Sequence, residues 1–274
     1  GFNKDYVKSV RDDCLEYDSF PVTKAYGGYY YSCTQALWID GLRATLPEGA
    51  ARSVALAALI DAASQCAAAP GHTAQPFSPS IGAKKFLHDA WRRSIPERTM
   101  EAFSKLASLH ARKTGSARVA DANDASMAVK EGDLVFLDPP YSGVHYSRFY
   151  HVLETVARGN CGAVSGSGRY PPSIERPRSS YSIATKAADA LEDMLKNISS
   201  KGASAILTFP QRACSNGLSG RFVTECVSKY FRATSTFKRS PFSTLGGTLD
   251  EEGKGYGRRG RQKTHELIFL LHPR

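Results

Sequence analysis

Residues 133–141 read Asp-Leu-Val-Phe-Leu-Asp-Pro-Pro-Tyr, an unbroken apolar run closed by a carboxylate, two prolines and an aromatic ring. A continuous apolar stretch from Leu134 to Leu137 predicts a strand covered by helices on both faces, as in a parallel sheet. The chain is thereby directed towards an α/β fold, with Asp138 at a strand's carboxyl end, where open α/β sheets bind ligands. The prolines fix φ near −65° and remove two backbone donors, leaving a stiff turn whose carbonyls face the cleft as acceptors. One carboxylate, one rigid carbonyl and one ring suit a flat base bearing an amine.

Asp138-Pro139-Pro140-Tyr141 resembles the signature of the amino-group methyltransferases that use S-adenosylmethionine, in the form typical of DNA N6-adenine enzymes. The next segment, Ser142 to Glu154, is similar to the stretch after that motif in bacterial adenine methylases. The resemblance is specific over about 133–158 and looser elsewhere. It implies a Rossmann-like class I methyltransferase sheet, S-adenosylmethionine as cofactor and double-stranded DNA as partner. The Asp138 side chain and the Pro139 carbonyl would accept from the adenine amine, Pro140 would complete the turn and Tyr141 would stack on the extruded base. Asp138 and Pro140 would also border the cofactor. Tyr146 and Phe149, three apart, are expected on one helix face, either clamping the base from its other side or packing in the core.

The chemistry fits those residue types. An exocyclic amine is a poor nucleophile because its lone pair is delocalised into the ring, so positioned acceptors and alignment must supply the acceleration. Reaching it inside a duplex requires flipping the base, and an aromatic face offsets part of the unstacking cost of a few kcal/mol. N4-cytosine is the nearest rival substrate, because its amine needs the same acceptors. RNA adenine, or a non-catalytic DNA-binding subunit that keeps the fold, are further alternatives.

Of the 274 residues, 36 are Lys or Arg and 26 Asp or Glu, a net charge of +10 that suits a polyanion. Six scattered cysteines form no CxxC pair, so neither a zinc site nor a disulfide framework is expected. No metal and no membrane span are expected, and the chain reads as soluble and cytoplasmic.

Residues 1–115 read as a helical region that contacts DNA or recognises the target, and 116–274 as the methyltransferase catalytic part. Helices are expected over 32–46, capped by Ser32 or Thr34, over the Ala-rich 50–69, and over the basic stretch 84–113, punctuated by Pro96. That basic stretch is either a phosphate-contacting face or a solvated one. The tyrosines of Tyr26-Gly27-Gly28-Tyr29-Tyr30-Tyr31 are read as core anchors ahead of a stacking surface. His72 is read as an exposed loop histidine ahead of a substrate contact.

After residue 115 the pattern becomes strand and helix in turn. Strands are expected at 117–120, 133–138, 203–209, 231–238 and 265–271, the last two forming a closing hairpin. Helices are expected at 145–157, 184–199 and 220–230. Asp121, at the end of the first of these strands and followed by Ala122, resembles the acidic residue that holds the cofactor's adenine in this family; a helix cap is the other reading. Candidate DNA-binding cations lie in two arms. One contains Arg169, Arg176 and Arg178; the other, Lys254, Arg258, Arg259, Arg261 and Lys263 among glycines.

The family's glycine-rich cofactor loop, which lets backbone approach the ligand closely, has no counterpart before residue 115. The first strands of the sheet are missing with it. The expectation is therefore an incomplete sheet and a second protein subunit that carries the glycine loop, a split enzyme of a restriction-modification or phage-defence system. A truncated chain and a catalytically inactive relic are the competing readings.

Overall fold

A computed structural model describes residues 2–80, 82–109, 111–243, 248–249, 255–256 and 261–274. Of 240–243, 248–249, 255–256 and 261–264 only the backbone is described. In chain order the helices are α1 (Lys4–Leu15), α2 (Pro21–Tyr26), α3 (Cys33–Ala44), α4 (Ala50–Cys66), α5 (Lys84–Trp91), α6 (Ile95–Ala107), α7 (Ala122–Met127), α8 (Ser147–Arg158), α9 (Ala187–Ser200) and α10 (Gly220–Tyr230). The strands are β1 (Leu134–Leu137), β2 (Ser204–Pro210), β3 (Phe231–Ser243), β4 (Thr248–Leu249), β5 (Gly255–Tyr256) and β6 (Arg261–Pro273). The fold is α/β, and it divides into two units: Gly1–Gly115 with Ser147–Pro177, and Ser116–Tyr146 with Arg178–Arg274.

The first unit is helical. Ser32 and Gln35 form a reciprocal capping box at the start of α3, each side chain bonding the other's backbone, which fixes where that helix begins. The Ala-rich α4 packs along α6. The basic stretch is divided into α5 and α6, because Ser94 caps a new helix with Pro96 in its first turn. The first residues of α2 are held from α3, since the buried Asp40 accepts from the backbone of Val22 and Thr23 and from the Thr23 hydroxyl. Tyr26, Tyr30 and Tyr31 are fully buried, as expected of core anchors, each hydroxyl within bonding distance of Thr155 Oγ1, the Thr73 carbonyl or the Ala63 carbonyl. Tyr29 is only half-buried.

The second unit carries a four-stranded sheet in the order β1-β2-β6-β3. β1 and β2 are parallel, and the remaining pairs antiparallel. β3 and β6 make the expected terminal hairpin, with β4 and β5 as a small separate ribbon. In register, Val135, Leu137, Ala205, Leu207, Phe209, Phe269 and Leu271 share the face that packs with α9 and α10, and all but Val135 are buried. The opposite face bears Leu134, Phe136, Ile206, Ile268 and Leu270. There Leu134 is 64% exposed, Phe136 66% and Leu270 41%. β1 is therefore covered on one face, whereas its unbroken apolar sequence predicts cover on two.

The strand expected at 117–120 does not form. Residues 115–121 have no regular structure and are exposed, Val119 fully so. In Ala117-Arg118-Val119-Ala120 the segment has one large apolar side chain to bury, too little to hold a strand in place. The six cysteines are free thiols. No helix among the described residues is long and apolar enough to cross a membrane.

Candidate active site

The Asp138 to Tyr141 turn leaves the carboxyl end of β1, and three residues beyond β1 fix its shape. Asp138 is exposed; its Oδ1 accepts from the Thr208 hydroxyl at 2.9 Å, on the neighbouring β2. The register pairs Leu137 with Leu207, so Thr208 is the next rung and lies opposite Asp138. This bond orients the carboxylate and leaves Oδ2 for another donor. Pro139 is buried. Asn216, completely buried, donates through Nδ2 to the Pro140 carbonyl and to the Tyr181 carbonyl, both at 2.8 Å. Among the described residues no donor reaches the Pro139 carbonyl, so the turn presents one bound and one unbound carbonyl.

Tyr141 is half-buried and rests on the core of the sheet unit. Beyond it the Gly143 amide donates to Ser215 Oγ at 3.1 Å, and a Cβ on Gly143 would stand 2.9 Å from the Ser215 carbonyl. The close approach requires glycine. His145 Nδ1 accepts from the Ser179 amide at 3.3 Å. The turn is thus stitched to the loop after β2 by Asn216 and Ser215. A stiff scaffold of this kind suits the positioning of a substrate amine.

The remaining predicted site residues are spread over both units. Asp121 caps α7, its Oδ1 accepting from Asn123 N at 2.9 Å and more weakly from Asp124 N at 3.4 Å, and Ala122 is the first residue of that helix. It does not end a strand. Asn123 ties this helix to the core, bonding the Ala190 carbonyl and the Tyr181 hydroxyl. Tyr146 is exposed and precedes α8, which starts at Ser147, so it does not share a helix face with Phe149. Phe149 belongs to the helical unit, where its ring centroid lies 5.0 Å from that of His72. His72 is accordingly half-buried, and burial pulls its pKa below the usual imidazole value.

Arg169 and Arg176 lie in the helical unit and Arg178 in the sheet unit. Lys254, Arg258 and Arg259 lie outside the described residues. Arg261 and Lys263 are described by backbone only, paired across the hairpin with Ser243 and Pro241. Thr208, Asn216 and Ser215 are not singled out by the sequence. The Ala203–Phe209 strand was the available signal for Thr208, but the pairing register that sets it beside Asp138 is not written in it.

Among the described residues no group of three or more His, Cys, Asp or Glu could hold a metal ion. Compared with known proteins, residues 3–167 match the family model described as D12 class N6 adenine-specific DNA methyltransferase. The chain is 40% identical over 68 residues to modification methylase LlaI of Lactococcus lactis subsp. lactis, a stretch covering 24% of this chain and 10% of that protein. It is 34% identical over 80 residues to modification methylase StsI of Streptococcus sanguinis, covering 29% of this chain and 12% of the relative. The matched stretch thus spans about a tenth of either relative's length. No solved structure matches the chain.

Proposed function

The chain belongs to the D12 class of N6 adenine-specific DNA methyltransferases, and from that membership we propose that it supplies the base-binding, catalytic turn of an enzyme that methylates adenine N6 in duplex DNA. The turn at the end of β1 carries this reading: an exposed carboxylate with one oxygen fixed by Thr208, beside an unbound carbonyl on a doubly proline-stiffened backbone. Asp138 Oδ2 and the Pro139 carbonyl accept the two N–H groups of the flipped base, drawing the nitrogen lone pair out of conjugation. Tyr141 stacks on the ring, and Tyr146 is the ring proposed for its other side. Phe149, engaged with His72, is better accounted for by packing. S-adenosylmethionine, when bound, supplies the electrophilic methyl group. Asp121, with the carboxylate oxygen its cap leaves over, Ala122, Asp138 and Pro140 are the proposed borders of its site.

No glycine-rich strand-to-helix loop occurs in the sequence before β1, so these residues fit the base side of the site better than the cofactor side. We assign the missing loop to a second polypeptide. Two observations support this. β1 is the outer strand of its sheet, and the apolar face carrying Leu134, Phe136 and Leu270 stands open. A neighbouring strand and a helix layer would bury both, and an open apolar edge is otherwise an aggregation hazard. The names of the relatives favour a modification enzyme of a restriction-modification system. Arg169, Arg176, Arg178 and the cations of the hairpin tip, Lys254, Arg258, Arg259, Arg261 and Lys263, are the proposed DNA contacts.

Replacing Asp138 by Ala tests the assignment. With its partner present, the variant is expected to lose methyl transfer by at least about a hundredfold, as for removal of one preorganised electrostatic group, while still binding DNA. Methylation at the wild-type rate would reject the role of the turn.

A further inference from the structure

We infer that the helical unit holds a duplex-phosphate clamp built from Arg11, Arg148, Arg169 and Arg176 on the rings of Tyr29 and Tyr170, with Arg169 as its centre. The inference rests on the DNA-methyltransferase reading and says which residues of this unit meet the DNA. The Arg11 and Arg169 guanidinium carbons stand 4.1 and 4.7 Å from the Tyr29 centroid. Those of Arg148 and Arg176 stand 4.5 and 5.8 Å from the centroid of Tyr170. Two cations on each ring is a costly arrangement unless an anion joins them, and among the described residues none of the four has a carboxylate partner. Arg11 Nε donates to the Gly28 carbonyl and Arg169 Nε to the Ala25 carbonyl, both at 2.9 Å. Each head is thus anchored through one N–H, with its terminal nitrogens left to meet an anion bidentately. Arg176 Nε is buried with no partner.

A second observation is independent of charge. Arg169 has φ of 55°, and it is the one non-glycine residue with positive φ among those described. An L side chain there costs on the order of 1 kcal/mol that glycine would avoid. The surroundings hold it in place. Ser165 and Tyr170 exchange backbone bonds at 2.9 Å across the turn, and the Tyr170 hydroxyl bonds the Ala74 carbonyl. The Gly168 carbonyl is within bonding distance of the Tyr30 hydroxyl, at 3.0 Å, and of His151 Nε2, at 2.8 Å. A Cβ on Gly168 would meet the Tyr170 ring and the Ala74 carbonyl at 2.3 to 2.6 Å. A turn locked from below into a strained shape, ending on an arginine held by Nε and by the Tyr29 ring with its terminal nitrogens left over, presents those nitrogens to a ligand. Phosphates of duplex DNA are the anions such planar forks match.

The test is binding of the full chain, with its partner where one co-purifies, to a fluorescent DNA duplex over a range of salt. Arg169→Gly relieves the strain, so its thermal midpoint is expected to equal or exceed that of the wild type. Its DNA affinity is expected to fall roughly tenfold, with the slope of log affinity against log salt reduced by about 0.9. Arg169→Lys should keep the slope and lose affinity, because it keeps the charge without the fork. Unchanged affinity and slope in Arg169→Gly, with the wild type binding the duplex, would overturn the clamp and leave the DNA reading intact. A wild-type chain that binds no duplex at low salt would overturn both.

Discussion

His151 lies beneath the turn that carries Arg169, with Tyr26, Tyr30 and Tyr170 around it and the Arg148 and Arg176 charges near by. Burial pulls its pKa down to about 4, so at neutral pH the ring is uncharged and Nε2 donates to the Gly168 carbonyl. The unfolded chain titrates near the ordinary value and binds more protons between about 4 and about 6.5. The contribution is complete above that window and is lost as pH falls through it, by at most about 3 kcal/mol. Urea unfolding of the helical signal should therefore show a steeper loss of stability towards pH of about 4.5 in the wild type than in His151→Gln, which keeps a donor without the titration. Parallel pH profiles would contradict the assignment. At this scale the sequence is a partial guide. Asp138 to Tyr141 are four consecutive letters and could be read at once, whereas Thr208 and Asn216 lie 70 and 76 positions from their partners and become neighbours only through strand register and loop path.

At the scale of elements, β1 is where pattern and structure diverge in the most informative way. Its sequence asks for burial on two faces, and the described chain covers one. Replacing Leu134 and Phe136 together by Ser should change the stability of this chain by no more than roughly 0.5 kcal/mol, as exposed positions do. The same change should weaken partner capture by at least about tenfold, since a few fully desolvated side chains near an interface centre carry most of its energy. Titration against the co-purified partner would measure it; a large loss of stability with partner affinity unchanged would instead make the face part of a core. The start of α3 near Ser32 and the terminal hairpin were legible because a cap residue before a helical period and two consecutive strand patterns can be read from short stretches of sequence. The reciprocal Ser32–Gln35 capping box came from the structure. The strand at 117–120 fails for the complementary reason: a strand exists only with neighbours, and a short stretch of alanines with one valine does not recruit them.

The molecule as a whole combines a helical unit, interrupted in sequence by residues 116–146 with the Asp138 to Tyr141 turn, and a sheet unit whose outer strand bears that turn. At this scale the sequence offered a net charge of +10, which suits a polyanion, and the family match bears on DNA adenine methylation. It could not announce how 147–177 would join the helical unit, because that depends on burying Val152 and Val156 of α8 with Tyr26 and Ile39, a packing choice with no local signature. Co-purification of the chain from its native operon, then mass spectrometry of nucleosides from duplex DNA incubated with S-adenosylmethionine, tests the central claim most directly. N6-methyladenine is predicted from the two polypeptides together and from neither alone. N4-methylcytosine as the product, or N6-methyladenine from a monodisperse 29.8 kDa monomer, would contradict the account.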